Sequence, residues 1–197
     1  MTFNYVKRLM VLTVSLFVFN IAAGEKAAET TSPAVTRQIH KHSVGFGLGQ
    51  TFLIGDFEKY GDNKITGEAF YSYSASYSFD MLLNFHYSEH EYKDNLVSLM
   101  GLSVSIKGKY FDFDSFSPFL MGGLGFYRPR IRIDDEWSEG KNTFGFNVGG
   151  GVDLQLNDKV TIGILGHYHN PFDVKQDDMK DVRGSYFKLL MTLMYQF

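Results

Sequence analysis

The chain of 197 residues has no cysteine, one tryptophan and four prolines, and neither sign of charge is in large excess. Without cysteine the protein has no disulfides, thiolate metal sites or cysteine nucleophiles, and it is not a lipid-anchored lipoprotein. The formal net charge of -3 gives no basic signal for a nucleic-acid partner. These absences indicate one small domain that folds without covalent cross-links.

Aromatic residues and glycine are abundant, with 19 phenylalanines, 12 tyrosines and 20 glycines. A membrane β-barrel uses both kinds of residue, because aromatic girdles surround its outer face and small residues suit a narrow interior. The composition therefore favours a small membrane barrel.

The N-terminus has the layout of a secretory leader. Lys7 and Arg8 precede an apolar run over residues 9–21, which ends in small residues that suit cleavage. The run is shorter than the roughly 20 apolar residues that a spanning helix needs. We predict a signal peptide over residues 1–24 and, from its polar composition, a flexible periplasmic segment over residues 25–42.

After the leader, apolar and polar residues alternate with a period of two, which is typical of β-strands with one apolar face. Eight such segments are predicted: 42–53, 65–79, 81–88, 96–110, 118–127, 144–156, 160–169 and 185–197. Eight strands are the smallest common closed barrel, and closure leaves no unpaired edge in lipid. The fold class predicted for residues 43–197 is all-β: an eight-stranded antiparallel up-and-down transmembrane β-barrel.

Connector lengths predict the orientation of the barrel, because outer-membrane barrels have short periplasmic turns and longer external loops. The predicted turns are Asp80, 111–117 and 157–159, and the predicted loops are 54–64, 89–95, 128–143 and 170–184. Turns and loops alternate along the chain. Both chain ends are therefore expected in the periplasm.

Outward aromatic residues are predicted at both ends of the barrel, as in the interfacial belts of spanning barrels. The two belts are Phe52, Tyr87, Phe126, Phe144 and Tyr168 at one end, and Tyr77, Phe79, Tyr110, Tyr195 and Phe197 at the other. A soluble lipocalin-like barrel, with its apolar face inward, has the same periodicity. The glycine and serine runs and the terminal aromatic residue favour lipid.

The leader, the eight alternating segments, Pro118–Tyr127 and the terminal Tyr195-Gln-Phe197 together resemble the small outer-membrane β-barrel families typified by OmpA, OmpX and OmpW. The resemblance implies a monomer in the outer membrane of a Gram-negative cell, in contact with lipid and lipopolysaccharide. It also implies that Tyr195 and Phe197 form the signal that the barrel-assembly machinery reads. These families include structural anchors, adhesins, narrow channels and lipid-modifying enzymes, so the resemblance does not choose among activities.

Inward-facing charges in so narrow a barrel must be paired. They fall at two predicted heights: Glu68, His167, His169 and Lys188 in one layer, and Lys107, Lys109 and Asp153 in the other. We predict ion pairs of Glu68 with Lys188 and of Asp153 with Lys107 or Lys109. Such layers are either internal packing that keeps the barrel closed or the gate of a narrow pore. The many inward glycines and serines have small side chains, so the sequence does not exclude the pore.

Enzymatic and metal sites are weakly supported. The segment Gly166–Asn170 is similar to the His-x-Ser-Asn motif of PagL-type lipid A deacylases, but His169 stands in the place of the serine nucleophile. We therefore predict no catalytic residues. His167 and His169, at positions i and i+2, would ligate a metal together with Glu68 only if this third ligand lies beside them, which the sequence does not establish, so we predict no metal and no cofactor.

One predicted loop carries a basic and aromatic stripe, formed by Arg128, Arg130, Arg132 and Trp137. Our hypothesis is that the arginines hold lipopolysaccharide phosphates and that Trp137 anchors a partner, and the alternative is an ordinary solvated hairpin loop. The function predicted is a non-enzymatic structural or surface-interaction role in the envelope. The alternatives are a narrow passive channel for small or hydrophobic solutes and, more remotely, a lipid A-modifying enzyme.

Overall fold

The structure, a computed structural model, describes residues 42–76, 78–110, 116–133, 136–138, 140–173 and 183–197. The predicted signal peptide over residues 1–24 lies outside the described residues, and so does the predicted periplasmic segment apart from His42.

Nine strands and one short helix make up the described chain. Their bounds are β1 His42–Gly55, α1 Asp56–Tyr60, β2 Lys64–Ser74, β3 Phe79–Tyr92, β4 Asn95–Lys109, β5 Phe116–Ile133, β6 Glu136–Trp137, β7 Thr143–Gln155, β8 Val160–Pro171 and β9 Gly184–Gln196. Among these residues, no helix is long and apolar enough to cross a membrane.

The strands close into a ring. The order around it is β1, β2, β3, β4, β5, β7, β8 and β9, all antiparallel, and β9 pairs with β1 again. The two-residue β6 pairs only with the end of β5 and stays outside the ring. The predicted eight-stranded antiparallel barrel is confirmed. We call the end that holds His42 and Gln196 the terminal rim, and the end that holds α1 the loop rim.

The apolar face of the strands points outward. Along β3 every second residue is exposed and the residues between them are buried. On β1 the exposed set includes Val44, Phe46 and Leu48, while Ser43 and Thr51 are buried. Periodicity alone could not distinguish the two faces. The structure excludes the lipocalin-like alternative because the alternating apolar residues are exposed on the outside, while charged side chains such as Glu68 and Lys188 are buried in the interior.

Exposed aromatic side chains lie near both rims. Those near the loop rim are Phe52, Tyr87, Phe126 and Phe144, and those near the terminal rim are Phe79, Tyr110, Tyr195 and Phe197. Tyr168, predicted in the loop-rim belt, is half-buried, and Tyr77 lies outside the described residues. Such a pair of belts suits the two interfaces of a bilayer.

The predicted turn at Asp80 is wrong. The backbone amides of Ala75 and Ser76 donate to the carbonyl of Phe79 at 3.0 and 3.1 Å, so the turn comes earlier and β3 already begins at Phe79. Asp80 is a buried strand residue. The alternation of apolar and polar residues continues through this turn in the sequence, which is why the period did not mark it.

Several other predicted connectors are also partly strand. Most of the predicted loop 89–95 is a continuation of β3 and β4 around a turn at Lys93 and Asp94, where Lys93 has a φ of 54°. β5 extends to Ile133, and the predicted loop 54–64 contains α1. The predicted turn at 157–159 is confirmed, and the Asn157 side chain accepts hydrogen bonds from the amides of Lys159 and Val160.

Buried apolar side chains inside the barrel form two clusters at different heights. The loop-side cluster consists of Leu53, Phe57, Val97, Leu99, Tyr127, Ile131 and Tyr186. The terminal-side cluster consists of Phe70, Leu82, Phe119, Met121, Leu165 and Leu190. A polar layer lies between them: on β9 the buried Lys188 comes between Tyr186 of the loop-side cluster and Leu190 of the terminal-side cluster. Burial of the apolar groups stabilises the barrel by roughly 25 cal/mol per Å² removed from water.

Candidate functional site

The polar layer is assembled by strand register. Glu68 on β2 is paired with His86 on β3, and across β1 from them His167 on β8 is paired with Lys188 on β9. His169 is the next inward residue on β8. We call these five residues, together with Asn84, the central polar cluster.

Glu68 is the centre of this cluster. Lys188 Nζ lies 2.9 Å from its Oε1, and Asn84 Nδ2 donates to its Oε2 at 3.1 Å. Three histidine nitrogens face the same carboxylate: His169 Nε2 at 3.4 Å, His167 Nδ1 at 3.6 Å and His86 Nδ1 at 3.7 Å. The side chains of Glu68, Lys188 and the three histidines have 0% exposure. The structure thus brings together all four predicted residues of this layer, including the predicted pair of Glu68 with Lys188.

A second ring of side chains holds the other nitrogen of each histidine. The Tyr186 hydroxyl lies 2.6 Å from His86 Nε2, and the Tyr127 hydroxyl lies 3.1 Å from His169 Nδ1. His167 Nε2 donates to Asn147 Oδ1 at 3.1 Å. Each imidazole ring is therefore oriented by a hydrogen bond at the nitrogen farther from Glu68, and its other nitrogen is directed toward the Glu68 carboxylate.

His86 and Asn84 were not included in the predicted site, although His86 was predicted to face inward. The missing information was the register between β2 and β3, because the misplaced turn at Asp80 hid the pairing of Glu68 with His86. Gly101 on β4 makes room for this histidine, since a Cβ at that position would strike the imidazole ring.

Two ion pairs lie inside the barrel near the terminal rim. Lys107 Nζ contacts Asp153 Oδ2, and Lys109 Nζ lies 3.0 Å from Asp80 Oδ2. Lys107 Nζ also lies 3.9 Å from the centre of the Phe119 ring. Asp153 was predicted to pair with Lys107 or Lys109, and in the structure it contacts Lys107. Lys109 instead contacts Asp80, the residue that had been predicted as a turn. We call these the terminal ion pairs.

The three arginines of the predicted surface stripe lie on the outward face of β5 at the loop rim, and its Trp137 lies on β6. The guanidinium carbons of Arg130 and Arg132 lie 4.4 Å and 5.6 Å from the centre of the Trp137 ring. Arg128 Nε donates to the carbonyl of Gly140 at 3.0 Å. Because the three arginines are every second residue of β5, their side chains lie on one face in a row along the strand, which we call the arginine column. It begins directly beyond the exposed Phe126.

These features belong to a known architecture. The family described as "Outer membrane protein beta-barrel domain" matches residues 13–197. The chain belongs to this family. Membership assigns it to the outer membrane, and the closed ring of eight strands agrees with that assignment. No curated protein sequence matches the chain.

Solved structures of small outer-membrane barrels have the same fold. Neisserial surface protein A is similar with a TM-score of 0.65 and 11% identity, over 80% of this chain and 97% of that chain. Ail, the attachment invasion locus protein of Yersinia pestis, has a TM-score of 0.53 and 14% identity, over 81% of this chain and 100% of that chain. OprG from Pseudomonas aeruginosa has a TM-score of 0.53 and 9% identity, over 82% of this chain and 98% of that chain. At these identities the likeness shows the fold alone.

Proposed function

We propose that this protein is a closed, non-enzymatic barrel with a structural or surface-interaction role in the outer membrane. The observation that carries the proposal is the covering of the loop rim. The helix α1 contacts β1 and β9 on one side of the ring and β4 and β5 on the opposite side, so it lies across the mouth. Its Phe57 is 1% exposed and belongs to the loop-side cluster.

The interior beneath this cover also supports a closed barrel. The central polar cluster is buried between the loop-side and terminal-side clusters, and an eight-stranded barrel is only wide enough for its side chains to fill. His167 and His169, which resemble part of a deacylase motif, are fully buried in this layer. A lipid in the bilayer does not reach them, which supports a non-enzymatic role.

Single-channel recording tests the closed barrel against a narrow passive channel. The protein without its leader is refolded in detergent, its folding is checked by heat-modifiable gel mobility, and it is added to a planar bilayer. We expect a silent bilayer. Discrete openings that change in Glu68→Ala or Lys107→Ala variants with verified folding would instead establish a channel whose path passes these residues.

We further propose that the arginine column contacts lipopolysaccharide phosphates. Phosphates lie at the level where acyl chains end, and the column begins directly beyond the exposed aromatic belt residue Phe126. Guanidinium groups bind phosphate through two parallel hydrogen bonds. Trp137 holds Arg130 by a cation–π contact, which reduces the entropy that this arginine loses on binding. The similar barrels named as a surface protein and an attachment locus protein suit the same class of role.

Binding of lipopolysaccharide with and without its phosphates tests this contact. We expect the refolded protein to bind the phosphorylated form more tightly, and the triple variant Arg128→Gln, Arg130→Gln, Arg132→Gln to lose that preference. The matched control is the triple variant Lys59→Gln, Lys64→Gln, Lys93→Gln, which removes the same number of positive charges near the same rim without touching the column. Equal loss in the control would show that only overall charge matters.

We also propose that both chain ends face the periplasm and that Tyr195 and Phe197 are the assembly signal. Because the chain has no cysteine, single cysteines report orientation without background. On intact cells, a membrane-impermeant maleimide should label Asp94→Cys, in the turn between β3 and β4, and spare Asp158→Cys, in the turn between β7 and β8. The reverse pattern would overturn the orientation.

A further inference from the structure

We propose that the central polar cluster is a binding site for a divalent transition-metal ion of the zinc class, with Glu68, His86 and His169 as ligands and His167 as the fourth. The four side chains come from β2, β3 and β8. The ligand atoms of Glu68, His86 and His169 all lie within 4.8 Å of one another, and all three residues are buried. The ion enters in exchange for the ion pair that Lys188 makes with Glu68.

The separations between the Glu68 oxygens and the histidine nitrogens are close to those of a tetrahedral site. Two ligands that are each about 2.1 Å from a tetrahedral ion lie about 3.4 Å apart. The three histidine nitrogens lie 3.4, 3.6 and 3.7 Å from oxygens of Glu68. His86 and His169 face Oε1 and His167 faces Oε2, so the carboxylate already stands close to ligand distance from all three rings, and binding draws the ligand atoms of Glu68, His86 and His169 together from spacings of up to 4.8 Å.

The hydrogen bonds around the histidines are those of metal ligands. A ligating histidine usually donates its other N–H to an outer partner, which fixes the tautomer and the ring orientation. Here the outer partners are Tyr186, Tyr127 and Asn147. Within the part of the chain that the structure describes, His86 Nδ1, His167 Nδ1 and His169 Nε2 are buried and have no hydrogen-bond partner.

His167 shows most directly why this arrangement calls for a cation. Its Nε2 faces the Oδ1 of Asn147, and because a carbonyl oxygen only accepts, the proton must be on Nε2. In the neutral ring, Nδ1 is then a lone pair, which faces Oε2 of Glu68 at 3.6 Å. Two buried acceptors that face each other repel, whereas an ion between them binds both.

Lys188 is the competitor for the carboxylate. Its ammonium already neutralises Glu68, so a divalent ion that joined it would add two uncompensated charges to a buried layer. Metal binding releases protons from its ligands and their surroundings, and loss of the Lys188 proton or displacement of its side chain lowers the excess in this layer from two positive charges to one. Replacement of Lys188 by a neutral residue should therefore tighten metal binding.

The test measures zinc retained by the untagged protein. The barrel is refolded in detergent with and without zinc, and a third sample receives zinc after refolding, because the apolar clusters on both sides hinder entry. Metal content is measured after gel filtration, and cobalt absorption spectra report the geometry. We expect one zinc per barrel in at least the sample refolded with zinc, and the intense visible bands of tetrahedral cobalt.

Variants separate this site from adventitious histidines. His86→Ala and His169→Ala should each weaken binding by more than about tenfold, since even outer partners of metal ligands are worth about 10–100-fold. His90→Ala is the matched control: His90 is also buried on β3, but its two nitrogens are held by the Asp62 carbonyl and the Ser88 hydroxyl. Lys188→Met should bind more tightly than the wild type.

The proposal is overturned if no zinc is retained after either mode of loading. It is also overturned if His86→Ala and His169→Ala, folded as judged by heat-modifiable mobility, retain as much zinc as His90→Ala. Should a histidine variant fail to fold, His86→Gln takes its place, because the amide fills part of the imidazole's volume and keeps a hydrogen-bonding group near Tyr186.

Discussion

The central polar cluster and the terminal ion pairs are both charged layers inside one barrel, but they differ in access to water. Glu68 and Lys188 have 0% side-chain exposure, whereas Lys109 and Asp80 have 26% and 7%. In the centre each charge depends on its partner, because bulk water does not reach it. At the terminal rim, water reaches the Lys109 ammonium, so this charge stays partly solvated when it loses its partner.

This difference means that similar ion pairs have different roles. A buried pair costs desolvation when it forms, and removal of one partner leaves an uncompensated charge in a medium of low dielectric constant. A partly exposed pair contributes little to stability. Loss of one charge in the central polar cluster should therefore destabilise the folded barrel strongly. Loss of a terminal ion pair should change its stability little.

The largest effect is expected for Glu68→Gln. The change keeps the shape of the side chain but leaves the Lys188 ammonium without its counter-ion, so we expect the free energy of unfolding to fall by about 3–5 kcal/mol. Urea unfolding in lipid vesicles, followed by tryptophan fluorescence and by gel mobility, measures the loss. A loss below that of Asp80→Asn, the matching change of carboxylate to amide at the terminal rim, would show that the centre is not the more sensitive layer.

The second prediction separates a lone charge from a lost pair. The double variant Glu68→Gln, Lys188→Met removes both charges, and we expect it to be about 1–3 kcal/mol more stable than Glu68→Gln alone. The same unfolding measurement, completed with Lys188→Met, gives the coupling energy. Strict additivity of the two single changes would mean that the pair does not interact.

The third prediction concerns the space that His86 occupies. In Gly101→Ala the added methyl group strikes the imidazole ring, and overpacking of this kind costs about 1–3 kcal/mol. Gly101→Ala should be less harmful in a His86→Ala background, where the ring is absent. An equal cost in both backgrounds, measured by thermal loss of the folded gel band, would show that His86 is not the neighbour that matters.

The smallest effect is expected at the terminal rim. Asp80→Asn removes the partner of Lys109, whose side chain is 26% exposed and stays solvated, and we expect a loss of about 0–1 kcal/mol. High salt should reduce this loss by screening, whereas the loss for Glu68→Gln should barely change, because a buried pair is screened much less. Equal salt dependence for the two variants would remove the distinction between the layers.

Much of this architecture was accessible from the sequence. The period of two predicted the eight barrel strands, and strand direction predicted that Glu68 and Lys188 share a layer. The turn at Asp80 was misplaced because alternation runs on through it, and several strands extend further beyond the membrane than their apolar residues indicated. Polar residues at the loop rim, such as those of Arg128–Ile133, still hydrogen bond as strand even where no lipid selects apolar side chains.

The sequence by itself determined the class of fold, because alternation, closure and the cost of unpaired backbone groups in lipid leave few other arrangements. Only the tertiary structure decided which face points inward, that α1 covers the loop rim, and that His86 joins the residues around Glu68. The physical reason is that these features depend on the register of strands and on contacts between residues far apart in the chain, which a local period does not encode. The convergence of three histidine nitrogens on one buried carboxylate is such a feature.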